Sequence, residues 1–306
     1  MINTEDSLIS ALPVHFSESK VADAPLSPQA EDDANAEELV IRPRTGWIGI
    51  DWGEMWTHRE LLGFLIWREF SVRYKQTVLG PAWAVLQPII MMAIFSVIFG
   101  RLAKIDSEGF PYPVFVFAGL IPWSLFSQGM AASALSLVNQ QHLLTKVYFP
   151  RLFVPIAAAV VFVVDLLISL VLYGAVLLFY GVTPSWGTIW LVLLIPLTII
   201  ATLSIGLTLA ALTVFYRDVK HVVPFLTQIL MFLTPVVYPV KLVSPRLQLL
   251  FSLNPMFGIV NAYRSAILGT DWNFLTLTTS TASALGLFLF AIFYFRRVER
   301  RFADFA

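Results

Sequence analysis

The stretch WREFSVRYKQTVLGPAWAVLQ, residues 67–87, decides how the chain is read. Its first part sets Arg68, Glu69, Arg73 and Lys75 among aromatic and apolar residues. Its second part, from Val78, opens a run without a charge until Arg101. A basic, aromatic segment of this kind lies at a membrane surface. An uncharged run of about 20 residues crosses the membrane. The boundary between them sets orientation, and it is where a substrate first meets the protein.

Working outward, composition supports the same reading. Of 306 residues, 58% are hydrophobic and 13% charged. Soluble domains carry about 25% charged residues. So large an apolar surplus predicts an all-α membrane protein with many spans. Cysteine is absent, which excludes a disulfide frame, thiolate metal sites and a cysteine nucleophile. Net charge is zero, so charge distribution informs where total charge does not.

Residues 1–55 are expected to form a cytoplasmic N-terminal tail and linker. The first 40 residues are polar and include EDDANAEE at 31–38, the composition of a flexible segment. They lack the pattern of a secretory leader. Residues 56–306 are expected to form one transmembrane domain. It begins with an amphipathic interfacial helix at 56–70, whose Trp56, Leu61, Leu62, Leu65, Ile66 and Phe70 fall near one face. Six spans are expected at about 78–100, 114–138, 152–180, 188–215, 222–238 and 272–295. Between spans 5 and 6, two apolar segments of about ten residues meet at Asn254-Pro255. Each is too short to cross, so residues 241–269 read as a re-entrant helical hairpin shielded by protein.

The positive-inside rule then orients the chain. Outside the tail, one side carries 14 Lys and Arg residues, among them Arg68, Arg73, Lys75, Lys146, Arg151 and Arg217, and the other side carries 5. Both termini are therefore expected in the cytoplasm, and the 241–269 hairpin on the outer face.

Chemistry is scarce. No G-x-x-x-x-G-K-[ST] occurs, so the chain has no phosphate loop of that type. His15, His58, His142 and His221 show no metal-ligand spacing, and no nucleophile elbow appears. Asp165 is the acid inside an expected span. Such a group is a candidate for function, with a hydrogen bond to a neighbouring helix as the plain alternative. Basic residues between interfacial helix and span make Arg68, Arg73 and Lys75 candidates for binding pyrophosphate, with ordinary anchoring as the alternative. Aromatic residues in and near the spans either meet lipid or line a pathway.

Six segments in order resemble a known family: RYKQTVLGPAWAVLQP (73–88), FAGLIPWSLF (117–126), LLTKVYFPR (143–151), YRDVKH (216–221), LTPVVYP (233–239) and LNPM followed by Tyr263 and Arg264. They resemble the permease subunit of bacterial polysaccharide ABC exporters, which move O-antigen, capsule or teichoic acid chains on a lipid carrier. The resemblance covers about residues 56–300.

It implies a homodimer of six-span subunits in the bacterial inner membrane, working with two copies of a separate ABC ATPase. ATP and magnesium would be bound by that partner, with no cofactor or metal in this chain and no catalytic residue. The expected partners are the ATPase, a second copy, lipid-linked polysaccharide and membrane lipids, not nucleic acid. Spans 1 and 5 would line the channel, with Phe95, Phe99, Trp123, Phe225, Phe232 and Tyr238 as candidate rings against the sugar chain. Leu143, Leu144, Lys146, Tyr148 and Arg151, with Arg217 and Asp218, would couple to the ATPase. Asn254, Pro255, Tyr263 and Arg264 would form the outer gate. A permease for a small molecule or lipid, a membrane enzyme acting on a lipid-linked sugar, and a proton-driven carrier are the alternatives. The enzyme would need clustered acids or histidines near one face, and the carrier an essential Asp165.

Overall fold

A computed structural model describes residues 52–75, 80–140, 149–216 and 218–299, and all regular structure among them is helical. The acidic tail, the loop residues Leu143, Leu144, Lys146 and Tyr148, and Arg217 lie outside the described residues.

Helices α1 (Trp52–Thr57) and α2 (Arg59–Lys75) come first. Helix α3 (Gly80–Phe95) runs on into a wider π-helical turn, Ser96–Leu102. Helix α4 (Tyr112–Asn139) follows, then α5 (Phe153–Val160) and α6 (Val163–Phe179). A short 3₁₀ turn, Trp186–Trp190, leads into α7 (Leu191–Phe215). Then come α8 (Val219–Leu233), α9 (Pro245–Phe251), α10 (Pro255–Leu268) and α11 (Phe274–Glu299).

Among the described residues, five helical stretches are long and apolar enough to cross a membrane: Ala82–Leu102, Tyr112–Asn139, Phe153–Phe179, Trp186–Phe215 and Phe274–Glu299. In lipid every backbone polar group needs an internal partner, and a helix supplies it. The chain is a multi-pass membrane protein.

Helix α4 is the centre of the bundle. It packs on α7, α5, α10, α6 and α3, and most of its side chains are buried. One apolar core joins α4 to α6 and α10. A second lies toward the other end, where Leu65 of α2 meets Phe153 of α5, Leu207 of α7 and Phe295 of α11.

Two expectations change. The interfacial helix runs over Arg59–Lys75, not 56–70, and Trp56 stands before it on α1. Of the residues expected on one face, Leu61, Leu62, Leu65 and Ile66 do share it and pack on the second core, and Phe70 packs on the first. Trp56 is exposed, and further apolar residues, Phe64, Trp67 and Val72, lie exposed on the opposite flank. The helix has protein on one flank and an apolar flank left open, which suits a helix lying between bundle and lipid.

The fifth expected span also differs. Helix α8 has 15 residues, about 22 Å at the α-helical rise, against a hydrocarbon core of about 30 Å. It stops at Leu233 because Pro235 forces Thr234 out of the helical region, and Thr234 is extended at φ −101°, ψ 136°. The unwound segment that follows finds its hydrogen bonds elsewhere. Arg264 of α10 is 1% exposed. Its Nη1 donates to the carbonyls of Pro235 and Tyr238, its Nη2 to that of Val236, and its Nε to Phe115 O at 3.2 Å. Tyr112 Oη donates to Val237 O at 2.6 Å, and Asn254 Nδ2 to Thr234 Oγ1 at 2.8 Å. Irregular backbone in an apolar setting is tolerated where protein supplies its hydrogen bonds in this way.

Helices α9 and α10 meet at Asn254-Pro255, where the expected break falls. Asn254 caps α10 by accepting from Met256 N at 3.1 Å, and Pro255 occupies the first turn, where its missing N–H costs nothing.

Candidate functional site

The quoted stretch brings a cation to a carboxylate. At the last turn of α2, Arg73 Nη2 stands 2.6 Å from Asp165 Oδ2 and 3.3 Å from Gln128 Oε1 of α4. The guanidinium lies over the Phe162 ring, 4.1 Å from its centroid. Tyr74 Oη donates to the other carboxylate oxygen, Asp165 Oδ1. The Asp165 side chain is 8% exposed and that of Arg73 32%. The plain alternative for Asp165 is thus what the geometry shows, a polar link to a neighbouring helix, made by an ion pair and a phenol.

Local sequence explains the meeting. Helices α5 and α6 are separated by a tight joint at Val161–Phe162, where Phe162 N bonds to Ala159 O at 3.3 Å. The joint presents Phe162 to Arg73, and Asp165 follows in the first turn of α6. Burial and the bond to Asp165 push the Tyr74 phenol up to about 12. It stays protonated at neutral pH and remains a donor.

This cluster lines a cavity of about 600 Å³ between the end of α2 and helices α3, α4 and α6. Trp83 and Gln87 come from α3, Trp123, Ser124, Ser127 and Gln128 from α4, Asp165 and Ser169 from α6. Hydroxyls, amides, an ion pair and two indoles on an otherwise apolar wall suit a ligand carrying both charge and hydroxyls.

The remaining basic candidates flank it. Arg68 pairs with Glu69 at 3.0 Å, and Glu69 accepts from Gln140 Nε2, just past the end of α4, at 2.6 Å. Lys75 is exposed, its ammonium 5.5 Å from the Trp67 ring centroid. Arg151 donates through its backbone N to Glu299 Oε1 and through Nη1 to Glu299 O, both at 3.1 Å, tying the start of α5 to the end of α11. Asp218 is exposed at the start of α8.

The aromatic candidates divide. Phe225 and Phe232 of α8 are each 64% exposed. Phe95 at the end of α3 and Phe99 in the π-helical turn are half-buried, with ring centroids 5.8 Å apart. Trp123 is buried beside the cavity, and Tyr238 donates to Phe232 O at 3.0 Å. At the other end, Tyr263 is buried with its hydroxyl 3.2 Å from Thr198 Oγ1. Asn254, Arg264 and the segment 234–238 form one hydrogen-bonded unit, so two motifs that are separate in sequence meet.

Sequence reasoning passed over Tyr74, Gln87, Gln128, Ser124, Ser127 and Ser169. A signal was present for three of them. Ser124, Ser127 and Gln128 recur at i, i+3, i+4 in an apolar run, which places polar groups on one helix face.

Residues 60–268 match the family model described as ABC-2 type transporter.

The chain belongs to the ABC-2 type transporter family.

The match spans α2 to α10 and includes both the Arg73–Asp165 cluster and Arg264. Among relatives of this ABC-2 chain is the O-antigen export system permease protein RfbA of Myxococcus xanthus, 31% identical over 69% of this chain and 82% of the relative. The O-antigen export system permease protein RfbA of Klebsiella pneumoniae is 24% identical over 80% of this chain and 94% of its own length. The polysialic acid transport protein KpsM of Escherichia coli is 26% identical over 74% and 90%. The relatives are thus permeases and transport proteins of polysaccharide export, the class that the six motifs indicated.

Proposed function

We propose that this chain is the channel-forming permease subunit of an ATP-driven exporter that moves a lipid-linked, O-antigen-like polysaccharide from the cytoplasm across the bacterial inner membrane. The observation that carries the reading is the polar cavity at Arg73, Asp165, Trp83 and Trp123, set where the interfacial helix meets the spans of a chain whose relatives export polysaccharides. ATP hydrolysis belongs to two copies of a separate ATPase below a pair of permease subunits. Binding and hydrolysis there shift the pair between closed and open states.

In this reading six segments cross the membrane. Helix α8 with its unwound continuation is the fifth, α9 and α10 are re-entrant from the outer face, and both termini are cytoplasmic. The pyrophosphate of the carrier lipid reaches Arg73 at headgroup level, with Arg68 and Lys75 beside it. There it takes over the guanidinium from Asp165, exchanging one charge-assisted contact for another. The exposed rings of Phe225 and Phe232, with Phe95, Phe99, Trp123 and Tyr238, offer faces to the passing sugar chain. Residues 143–151, with Arg217 and Asp218, receive force from the ATPase. Asn254, Pro255, Tyr263 and Arg264 hold the outer closure.

The test is the permease co-purified with its ATPase in nanodiscs, with turnover measured against added lipid-linked glycan. Arg73→Ala with Lys75→Ala should abolish stimulation by the glycan while basal turnover persists. Stimulation equal to the parent, at equal expression, would refute the pyrophosphate assignment.

A further inference from the structure

The end of the bundle opposite α2 holds a second cavity, of about 300 Å³. Three connections build it: the turn between α3 and α4, the segment from Val240 through α9, and the link from α10 to α11. Glu108, Lys241, Asn261, Asp271 and Trp272 line it, with Gln248 and Asn273, and the Lys241 ammonium also stands 3.8 Å from Asp271 Oδ2.

Glu108 is the unusual residue. Its backbone lies in the left-handed region at φ 56°, uncommon for any residue but glycine. A tight turn holds it there: Glu108 N donates to Asp106 Oδ1 at 3.2 Å and Phe110 N to Ser107 O at 3.1 Å. Its side chain is 10% exposed, and the Lys241 ammonium is 3.7 Å away, beyond hydrogen-bond distance. No hydrogen-bond donor among the described residues reaches its carboxylate. Paired with the ammonium but not hydrogen-bonded, the carboxylate keeps acceptor sites open toward the cavity.

The rest of the wall is prepared. Gln248 Nε2 donates to Val240 O at 3.2 Å and Val243 O at 2.7 Å, and Asn273 Nδ2 donates to Gln248 Oε1 at 3.2 Å. These bonds fix the rim. Asn261 makes no side-chain hydrogen bond among the described residues, which leaves a donor and an acceptor. Trp272 is held parallel to Phe274, centroids 6.1 Å apart, and edge-on to Trp190 at 6.4 Å. The cavity therefore combines two carboxylates with acceptor sites to spare, an amide that bonds both ways, an ammonium between the acids and an indole. The lysine beside the carboxylate disfavours a metal ion, and the polar lining disfavours a purely apolar guest. Vicinal hydroxyls on a ring with apolar C–H faces satisfy every element of the wall.

We infer that this cavity is a binding subsite for one sugar unit of a polyhydroxylated chain at the far mouth of the membrane domain. The inference rests on the export reading and deepens it. A subsite at the exit holds the emerging chain while the span beneath it resets.

The test is calorimetric titration of the full-length chain in nanodiscs with lipid-free polysaccharide, released by mild acid from the strain that makes it. Glu108→Gln and Trp272→Ala should each weaken binding about tenfold. Asn261→Ala, which removes a side chain with no hydrogen bond to lose, should weaken it without moving the unfolding temperature. Trp186→Ala, exposed at the same end but outside the cavity, should bind as the parent does. Unchanged binding in Glu108→Gln and Asn261→Ala, or no binding by the parent, overturns the subsite. Surface polysaccharide is measured in the same strains. Export without cavity-dependent binding rejects the subsite and leaves the export reading standing. Failure of the parent to export rejects that reading, and the titration still decides the subsite.

Discussion

The guanidinium of Arg264 lies 3.7 Å from the centroid of the Phe115 ring and holds the carbonyls of Pro235, Val236 and Tyr238. Gly119 makes room for it, since a Cβ there would stand 2.7 Å from Arg264 Nη2. Only a planar fork reaches several carbonyls at once, and a lysine presents one point of charge. Arg264→Lys should therefore lower the unfolding temperature in detergent. Arg264→Ala, which leaves buried carbonyls without donors, should cost about 3 kcal/mol or more. A variant as stable as the parent would show that the unwound segment finds other partners. The Arg73 cluster behaves differently because it is partly open to solvent. Tyr74→Phe removes one hydrogen bond and should cost about 1 kcal/mol, and Asp165→Ala about 1–3 kcal/mol, both read by denaturation. Tyr263-Arg264 and LTPVVYP were visible in the sequence as motifs, but the bond between them was not. Contact between residues about 30 apart in sequence depends on how α10 turns back against α4, and no periodicity encodes that.

Among the elements, α10 shows how closely helices approach. Gly258 N donates to Ser280 Oγ of α11 at 2.9 Å. A Cβ on Gly258 would stand 2.4 Å from Thr276 O, which is backbone and cannot swing away. Small residues let helices touch in this way in membranes. Gly258→Ala should push α10 off α11 and destabilise that end of the bundle, whereas Gly174→Ala and Gly286→Ala, with nothing within 4 Å of the new methyl, should be neutral or slightly stabilising. Thermal unfolding of the three variants checks this, and equal stability of Gly258→Ala would count against the packing. The spans at 112–139, 153–179 and 274–299 were legible because each is a long apolar run bounded by charges or prolines. The fifth was less so, because hydropathy continues through Thr234–Tyr238 after the helix has ended, and only Pro235 marks the stop. The interfacial helix was legible in its protein-facing residues Leu61, Leu62, Leu65 and Ile66 but not in its bounds or its second apolar flank. With protein on one flank and an exposed apolar flank on the other, it lacks the single stripe that sequence periodicity detects.

At the scale of the whole molecule, no residue of Ala82–Leu102 is buried within the chain, although the stretch is mostly apolar. Helices α3 and α8 both pack on α4 and leave Ile90, Ile94, Phe225 and Phe232 exposed. In the proposed pair, a second copy along this surface would enclose a path lined by the two. The chain has no cysteine, so single cysteines report directly. Ile90→Cys or Ile94→Cys should give an oxidised dimer in membranes, while Val171→Cys, exposed on α6, should not; the reverse pattern would place the partner elsewhere. The export reading itself is decided in cells. The chain is deleted and restored beside its ATPase, and long glycan is measured on the cell surface and in the cytoplasm. The account predicts that glycan accumulates inside without the chain and reaches the surface when the chain returns, only with an active ATPase. Glycan that is never made without the chain, or that is exported with the ATPase inactive, would contradict it.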